Sequence, residues 1–327
     1  TRYPWVEVQK KYDKDKNEQI ARSEFPGSDH DFARIDRDRD GALTQTDFDF
    51  TPRSPISPSG MIFSRVDRDG DGKLTREEID GFFKKADTDS RGFLSRSDVD
   101  ALFAPPSASS SGGDRPSKAM LIRGLFNQEI GSLQAGPHLN EKAPDFRLKT
   151  NDGQSEVALS SVIGPKPVVL IFGNFTCGPF RSHAGNFEKL YQRYKDRATF
   201  VMVYVREAHP TDGWRMDSND NVGVSTAQPT TYEERAGVAQ RCGKLLGLGF
   251  PMLVDTIDDA VGAKYSGMPG RFYLIDHEGK IAFKNARGPY GFKPDELEQS
   301  LVLLLQDENP SDSNARRLPI SQTDPKP

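Results

Sequence analysis

Val168-Val-Leu-Ile-Phe-Gly-Asn-Phe-Thr-Cys177-Gly-Pro-Phe180 is an apolar run that breaks into a tight turn with a cysteine at its tip. The stretch Val168–Phe172 reads as a strand covered on both faces. A helix starting near Pro179 would aim its free N–H groups and positive dipole end at the Cys177 sulfur, favouring thiolate over thiol. This is a one-thiol site, because Phe180 stands where a dithiol motif would carry its second cysteine. The alternative is an inert core cysteine. The strand-tip position before Gly-Pro favours reactivity.

Working outward, strands and helices alternate. Ala143–Leu148 reads as an entry strand, Phe187–Tyr194 as a helix and Phe200–Val205 as a second buried strand. Thr231–Leu246 reads as a helix, Met252–Val254 and Arg271–Ile275 as strands, and Asp295–Leu305 as a closing helix after a hairpin through Glu278-Gly279. This alternation with a terminal hairpin predicts an α/β thioredoxin-like sheet. In such folds a cis-proline faces the active sulfur, and Pro269, just before the strand Arg271–Ile275, takes that place by fold resemblance. Open α/β sheets bind ligands at the carboxyl ends of their strands. There the chain has Glu207-Ala-His209-Pro-Thr-Asp-Gly-Trp214. His209 is a candidate proton carrier, Glu207 a candidate to orient it, Trp214 and Tyr290 candidates for an aromatic pocket, and Arg271 a candidate anion contact. Cys242 falls in the helix Thr231–Leu246 and reads as a core residue.

The N-terminal third carries a repeat. Its first loop supplies Asp13, Asp15, Asn17, Gln19 and Glu24; its second Asp36, Asp38, Asp40, Ala42 and Asp47. The third supplies Asp67, Asp69, Asp71, Lys73 and Glu78; the fourth Asp87, Asp89, Phe93 and Asp98. Calcium takes about six to eight oxygens, and a 12-residue EF-hand loop provides them from positions 1, 3, 5, 7, 9 and 12, with position 7 donating a main-chain carbonyl. Position 8 is apolar throughout (Ile20, Leu43, Leu74, Leu94), as pairing of loops requires. The third loop fits every position. Glu18 replaces the usual glycine in the first, Asp47 is a short closing residue in the second, and Arg91 at position 5 predicts a weak or empty fourth site. Solvated acidic turns are the bland alternative; four loops in register make it the weaker one.

The expected organisation is multidomain. An all-α EF-hand domain spans 1–103 as two pairs separated by Pro52–Gly60, and a flexible linker covers 104–118. A thioredoxin-like domain spans 119–306, opening on an amphipathic cover helix Met120–Leu133 with Leu121, Leu125, Phe126 and Ile130 on one side. A polar tail of 307–327 reads as disordered.

Within about 140–305 the chain resembles the iodothyronine deiodinases and their bacterial relatives. The matching pieces are Phe172-Gly173, Thr176-Cys177-Gly-Pro-Phe180, Tyr204 with Glu207–Trp214, Glu234-Arg235, Pro251 with Val254-Asp255-Thr256, Arg271–Ile275 and Gly288-Pro-Tyr290. The resemblance implies that Cys177 occupies the place of the family's catalytic selenocysteine, a selenocysteine-to-cysteine replacement, and that His209 is the histidine of its Glu-Ala-His motif. In that family the selenolate takes iodine reductively from a phenolic ring and an outside thiol regenerates it. Pro229 and Phe175 stand where members carry a second histidine and a cysteine. Thr176 and Pro269 therefore join Cys177, His209 and Glu207 as candidate catalytic residues, with Trp214, Arg271, Phe180 and Tyr290 as candidate substrate contacts.

Composition narrows the partners. Residues 1–103 hold 22 acids against 18 bases, and the rest 26 against 26, which argues against nucleic acid. No run of about 18 apolar residues spans a membrane. Two cysteines make no disulfide scaffold. The chain opens on Thr1, so removal of an N-terminal targeting segment and an extracytoplasmic or membrane-anchored location are expected. The expectation is a thiol oxidoreductase of deiodinase-like type with Ca2+, a small-molecule substrate and an external thiol reductant; a homodimer is compatible with it. One rival is a thiol peroxidase, although peroxiredoxin spacing would need threonine and proline where Asn174 and Leu170 stand. The other is a non-catalytic calcium-stabilised binding module.

Overall fold

The computed structural model describes residues 1–51, 66, 74–103, 114, 116–126, 129, 131, 133–288 and 291–308. In chain order the elements are α1 Trp5–Tyr12, β1 Ile20–Ala21, α2 Asp29–Ile35, β2 Ala42–Leu43, a 3-10 turn Gln45–Phe48, α3 Arg76–Ala86, α4 Arg96–Phe103 and α5 Lys118–Phe126. Then follow β3 Arg147–Thr150, β4 Glu156–Ala158, α6 Leu159–Val162, β5 Val168–Gly173, α7 Gly178–Tyr194, β6 Thr199–Tyr204 and α8 Asp217–Asp220. The last are α9 Tyr232–Leu246, β7 Met252–Val254, α10 Ala260–Tyr265, β8 Arg271–Ile275, β9 Ile281–Lys284 and α11 Pro294–Glu308.

Seven strands form one sheet in the order β4-β3-β7-β6-β5-β8-β9. β5 runs parallel to β6, and β6 to β7, while β8 and β9 return antiparallel on the other side of β5. The crossover β5-α7-β6 is the unit that a parallel pair requires. Every residue of β5 is buried, as its unbroken apolar sequence demands of a central strand. Gly173 ends β5 because a Cβ there would lie 2.4 Å from the Phe180 ring. That close approach lets the first turn of α7 fold directly back over the strand. The topology, a βαβ unit closed by an antiparallel hairpin and a last helix, is the expected thioredoxin-like α/β sheet.

Several boundaries differ from expectation. The entry strand lies at 147–150, because Pro144 cannot donate to a sheet ladder. α7 begins at Gly178, nine residues before the Phe187 start read from periodicity. The cover helix ends at Phe126, and Leu121 and Phe126 from its expected apolar side are 39% and 81% exposed. Ile130, the tail beyond Glu308, and most of 104–115 fall outside the described residues.

The chain divides into two compact units, 1–50 with 114–327, and 51–113. This differs from the division expected after residue 103, because the first loop pair packs with the α/β sheet. Its two loops meet through β1 and β2, whose register sets Ile20 opposite Leu43, the two position-8 residues. No helix among the described residues is long and apolar enough to cross a membrane.

Candidate active site and metal loops

Cys177 caps the N-terminus of the 17-residue helix α7, as its sequence position predicts. Asn174 holds the turn: its Oδ1 accepts the N–H of Cys177 at 3.0 Å and of Ala208 at 3.1 Å, and its Nδ2 donates to the Pro269 carbonyl at 3.0 Å. The Met268–Pro269 bond is cis. One amide thereby ties the cysteine turn, the 206–214 loop and the proline segment together.

The sulfur is not the open thiolate that the turn predicts. Cys177 is only 2% exposed, and burial pushes its thiol up to about 11 against the opposing pull of the Phe180 N–H and the Arg181 guanidinium. Helix-end electrostatics contribute about 2 kcal/mol at most, near 1.5 pKa units. Full burial shifts a group by as much as about 3–5 units, so burial wins.

Thr176 is the hub beside it. Its N–H and hydroxyl donate to Glu207 Oε2 at 2.9 and 2.7 Å, and its oxygen accepts the His209 N–H at 3.0 Å. The Tyr204 hydroxyl donates to the other Glu207 oxygen and accepts the Phe175 N–H at 3.0 Å. Burial moves the Glu207 carboxyl toward its protonated form. The Glu207 oxygens are taken up by Thr176 and Tyr204 rather than by the His209 ring, which Glu207 was expected to orient. That task falls to Trp214, whose carbonyl lies 3.1 Å from His209 Nδ1 and whose ring stands edge-on at 4.7 Å. A carbonyl only accepts, so Nδ1 carries the proton; burial keeps the ring neutral, leaving Nε2 as an acceptor.

The remaining candidates scatter. Trp214 Nε1 donates to the Asp114 carbonyl at 3.2 Å and lines a cavity of about 280 Å³ with Met120, Arg123, Glu207, Pro210 and Gln228. Cys177 and His209 do not line it. Arg271 is buried and donates to the Ala135 carbonyl at 2.9 Å, held by main chain rather than offered to an anion. Phe180, expected at the substrate, is fully buried and stacked on Phe187, because it fills the space over Gly173. Tyr290 lies outside the described residues.

Sequence reading missed Arg181 and Asn219. Arg181 donates to the Phe175 carbonyl and to Asn219 Oδ1, both at 2.6 Å, and Asn219 Nδ2 donates to the Thr176 carbonyl at 2.8 Å. An arginine one turn into a helix capped by a cysteine was the available signal. Cys242 is buried in α9, and its thiol is pushed up by burial and by Glu207.

In the first loop, oxygens of Asp13, Asp15 and Glu24 lie within 4.8 Å of one another, as do those of Asp36, Asp38 and Asp40 in the second. Ligands across a calcium ion at about 2.3–2.6 Å are separated by that much. Gly41 at position 6 has φ +90°, and Glu18 at the same position of the first loop has φ +67°. Asp36 is 7% exposed and its Oδ1 is buried without a hydrogen-bond partner. Asp47 is fully buried, with Oδ1 accepting the Arg37 N–H at 2.7 Å and Oδ2 the Thr44 N–H at 2.8 Å. In the fourth loop Arg91 Nη2 sits 2.6 Å from the closing carboxylate of Asp98, where an ion would otherwise be held. Asp67, Asp69, Asp71 and Lys73 lie outside the described residues; Glu78 caps α3 through Thr75.

A sheet of this topology with a cysteine capping the helix after its central strand defines a thioredoxin-like protein with one thiol at its helix-capping turn. The model of the iodothyronine deiodinase family matches residues 117–304, and that of the EF hand matches 62–82. The chain belongs to the iodothyronine deiodinase family. It is 34% identical over 165 residues to the type I iodothyronine deiodinase of Xenopus laevis, covering 50% of this chain and 63% of the relative. With the thyroxine 5-deiodinase of Gallus gallus it shares 34% over 161 residues, covering 49% and 60%. The chain thus spans less than two thirds of the length of these relatives. A putative thiol:disulfide interchange protein from Chlorobium tepidum overlaps 52% of this chain and 99% of its own, at 24% identity and a TM-score of 0.38.

Proposed function

We propose that this chain is a thiol-dependent oxidoreductase of deiodinase type, acting through Cys177 on a small halogenated aromatic, with a calcium-binding N-terminal part. The observation that carries the reading is the single cysteine capping α7, its backbone fixed by Asn174, in a chain of this family.

The Cys177 sulfur, as thiolate, takes the halogen from carbon; the S–halogen bond forms, the carbon–halogen bond breaks, and the carbon receives a proton. Glu207, biased toward protonation and bonded to Thr176, supports a proton supply beside the turn. One molecule of an external thiol then displaces halide to give a mixed disulfide with Cys177. A second releases the free cysteine and leaves with the first as a disulfide.

Calcium fits the first two loops. Asp13, Asp15 and Glu24, and Asp36, Asp38 and Asp40, would hold it, with main-chain carbonyls of Gln19 and Ala42 at position 7. Bound there, the ion neutralises clustered carboxylates and orders the loops. The orphaned Asp36 Oδ1 supports this fit.

The test is iodide release from an iodophenol with dithiothreitol as reductant, comparing the wild type with Cys177→Ser. Release lost in the variant is expected; equal release from both sinks the proposal. In parallel, the rate of alkylation of Cys177 by iodoacetamide should still climb at pH 10, since burial pushes the thiol up to about 11. The burial of Cys177 favours a second reading, a calcium-holding binding module without chemistry. It predicts no turnover of the iodophenol at any pH.

A further inference from the structure

The second calcium loop is built onto helix α11 of the thiol-bearing unit. The main-chain carbonyl of Asp47, the closing residue of the loop, accepts the buried Gln299 side chain at 3.0 Å. Lys293, one residue before α11, donates to the Phe50 carbonyl at 2.8 Å. At the other end of the loop, Asp31 of α2 is 2% exposed; it accepts Arg197 at 2.9 and 3.2 Å and the Gln306 side chain at 3.2 Å. The loop is therefore gripped before its first ligand and at its last by one helix and by the turn after α7. That helix is core: Leu301, Val302, Leu303 and Leu304 are at most 1% exposed, and it packs on β8, β9 and α7.

From this we infer that a calcium ion held by Asp36, Asp38 and Asp40 is a structural ion of the α/β unit, fastening α11 rather than stabilising a separate module. The inference rests on the calcium reading above and goes beyond it. An ion that bound a detachable loop pair would order only that pair. Here the ligand-bearing segment and α11 share buried hydrogen bonds, so opening either exposes the other's unpaired groups, and the two open together.

The experiment uses the full chain and calcium alone. Binding stoichiometry is measured by isothermal titration calorimetry, and hydrogen exchange of the α11 amides is followed with chelator and with calcium. With free calcium at 100 times Kd, exchange of α11 should slow about 100-fold, because an ion bound only to the folded state divides the open population by that factor. The double variant Asp36→Asn, Asp40→Ala should bind one calcium fewer and lose the slowing. Should it fail to fold, the wild-type comparison with and without calcium decides alone. Calcium that binds the wild type yet changes α11 exchange by less than about twofold overturns the coupling and leaves the calcium sites standing. No calcium bound at all overturns both.

Discussion

Replacing Glu207 tests whether the buried polar network builds the cysteine turn. In Glu207→Ala three donors lose their acceptor: the Thr176 N–H, the Thr176 hydroxyl and the Tyr204 hydroxyl. The Thr176 hydroxyl can turn to Asn174 Oδ1, already 3.2 Å away. Two buried donors remain orphaned at about 1–3 kcal/mol each, a loss of about 2–6 kcal/mol. Glu207→Gln keeps the acceptor for Thr176 and mimics the protonated acid. A carboxyl whose pKa is raised by folding binds its proton more tightly in the native state, so its contribution is greatest below the unfolded value, about 4.3, and is lost as pH rises toward the raised one. The wild type should therefore lose stability relative to Glu207→Gln as pH rises across that window. Urea unfolding followed by tryptophan fluorescence is the assay, since Trp5 and Trp214 both lie in the unit that contains the site. If Glu207→Ala stays within about 1 kcal/mol of the wild type, or the difference from Glu207→Gln is flat between pH 4 and 8, the network does not hold the turn as described.

Two further substitutions probe the same frame. Gly173→Ala forces a Cβ to 2.4 Å from Phe180 in a fully buried wall; it should cost about 1–3 kcal/mol in urea unfolding and speed Cys177 alkylation by shifting the first turn of α7. Arg235→Met removes a buried guanidinium bonded to the Thr256 carbonyl at 2.6 Å and paired with Asp259 at 3.4 Å. It should cost about 3–5 kcal/mol at neutral pH. The loss should shrink on acidification, because burial biases the Asp259 carboxyl toward its protonated form, which leaves no unpaired charge behind; a loss that does not change as pH falls refutes the pairing.

The strands at 168–173, 199–204, 252–254 and 271–275 were legible because each is an apolar run bounded by breakers, and a central strand buried on both faces leaves that mark. The cap of α7 was legible because Gly-Pro after a cysteine fits a helix start. β4, with three residues, is too short to show a period. The grouping of residues 1–50 with the α/β sheet was hidden for another reason. It rests on contacts such as Arg197 with Asp31 and Gln299 with Asp47, pairs 166 and 252 residues apart that leave no periodicity. The roles of Asn174, Arg181 and Asn219 were equally hidden, since a polar residue near a turn looks the same whether it is solvated or, as here, stitched to main chain.

The ionisation of Cys177 was misjudged because local electrostatics is written in sequence and burial is not. What the structure adds is that the bonds shaping the turn run to main-chain atoms of Thr176 and Cys177 and leave the sulfur out. The turn is held from below, by Asn174, by Glu207 through Thr176, and by Arg181 through Asn219. Among the described residues, the hydrogen bonds of Asp114 run to Trp214 and Ser218 of the 206–220 segment and not to the bonds of the turn.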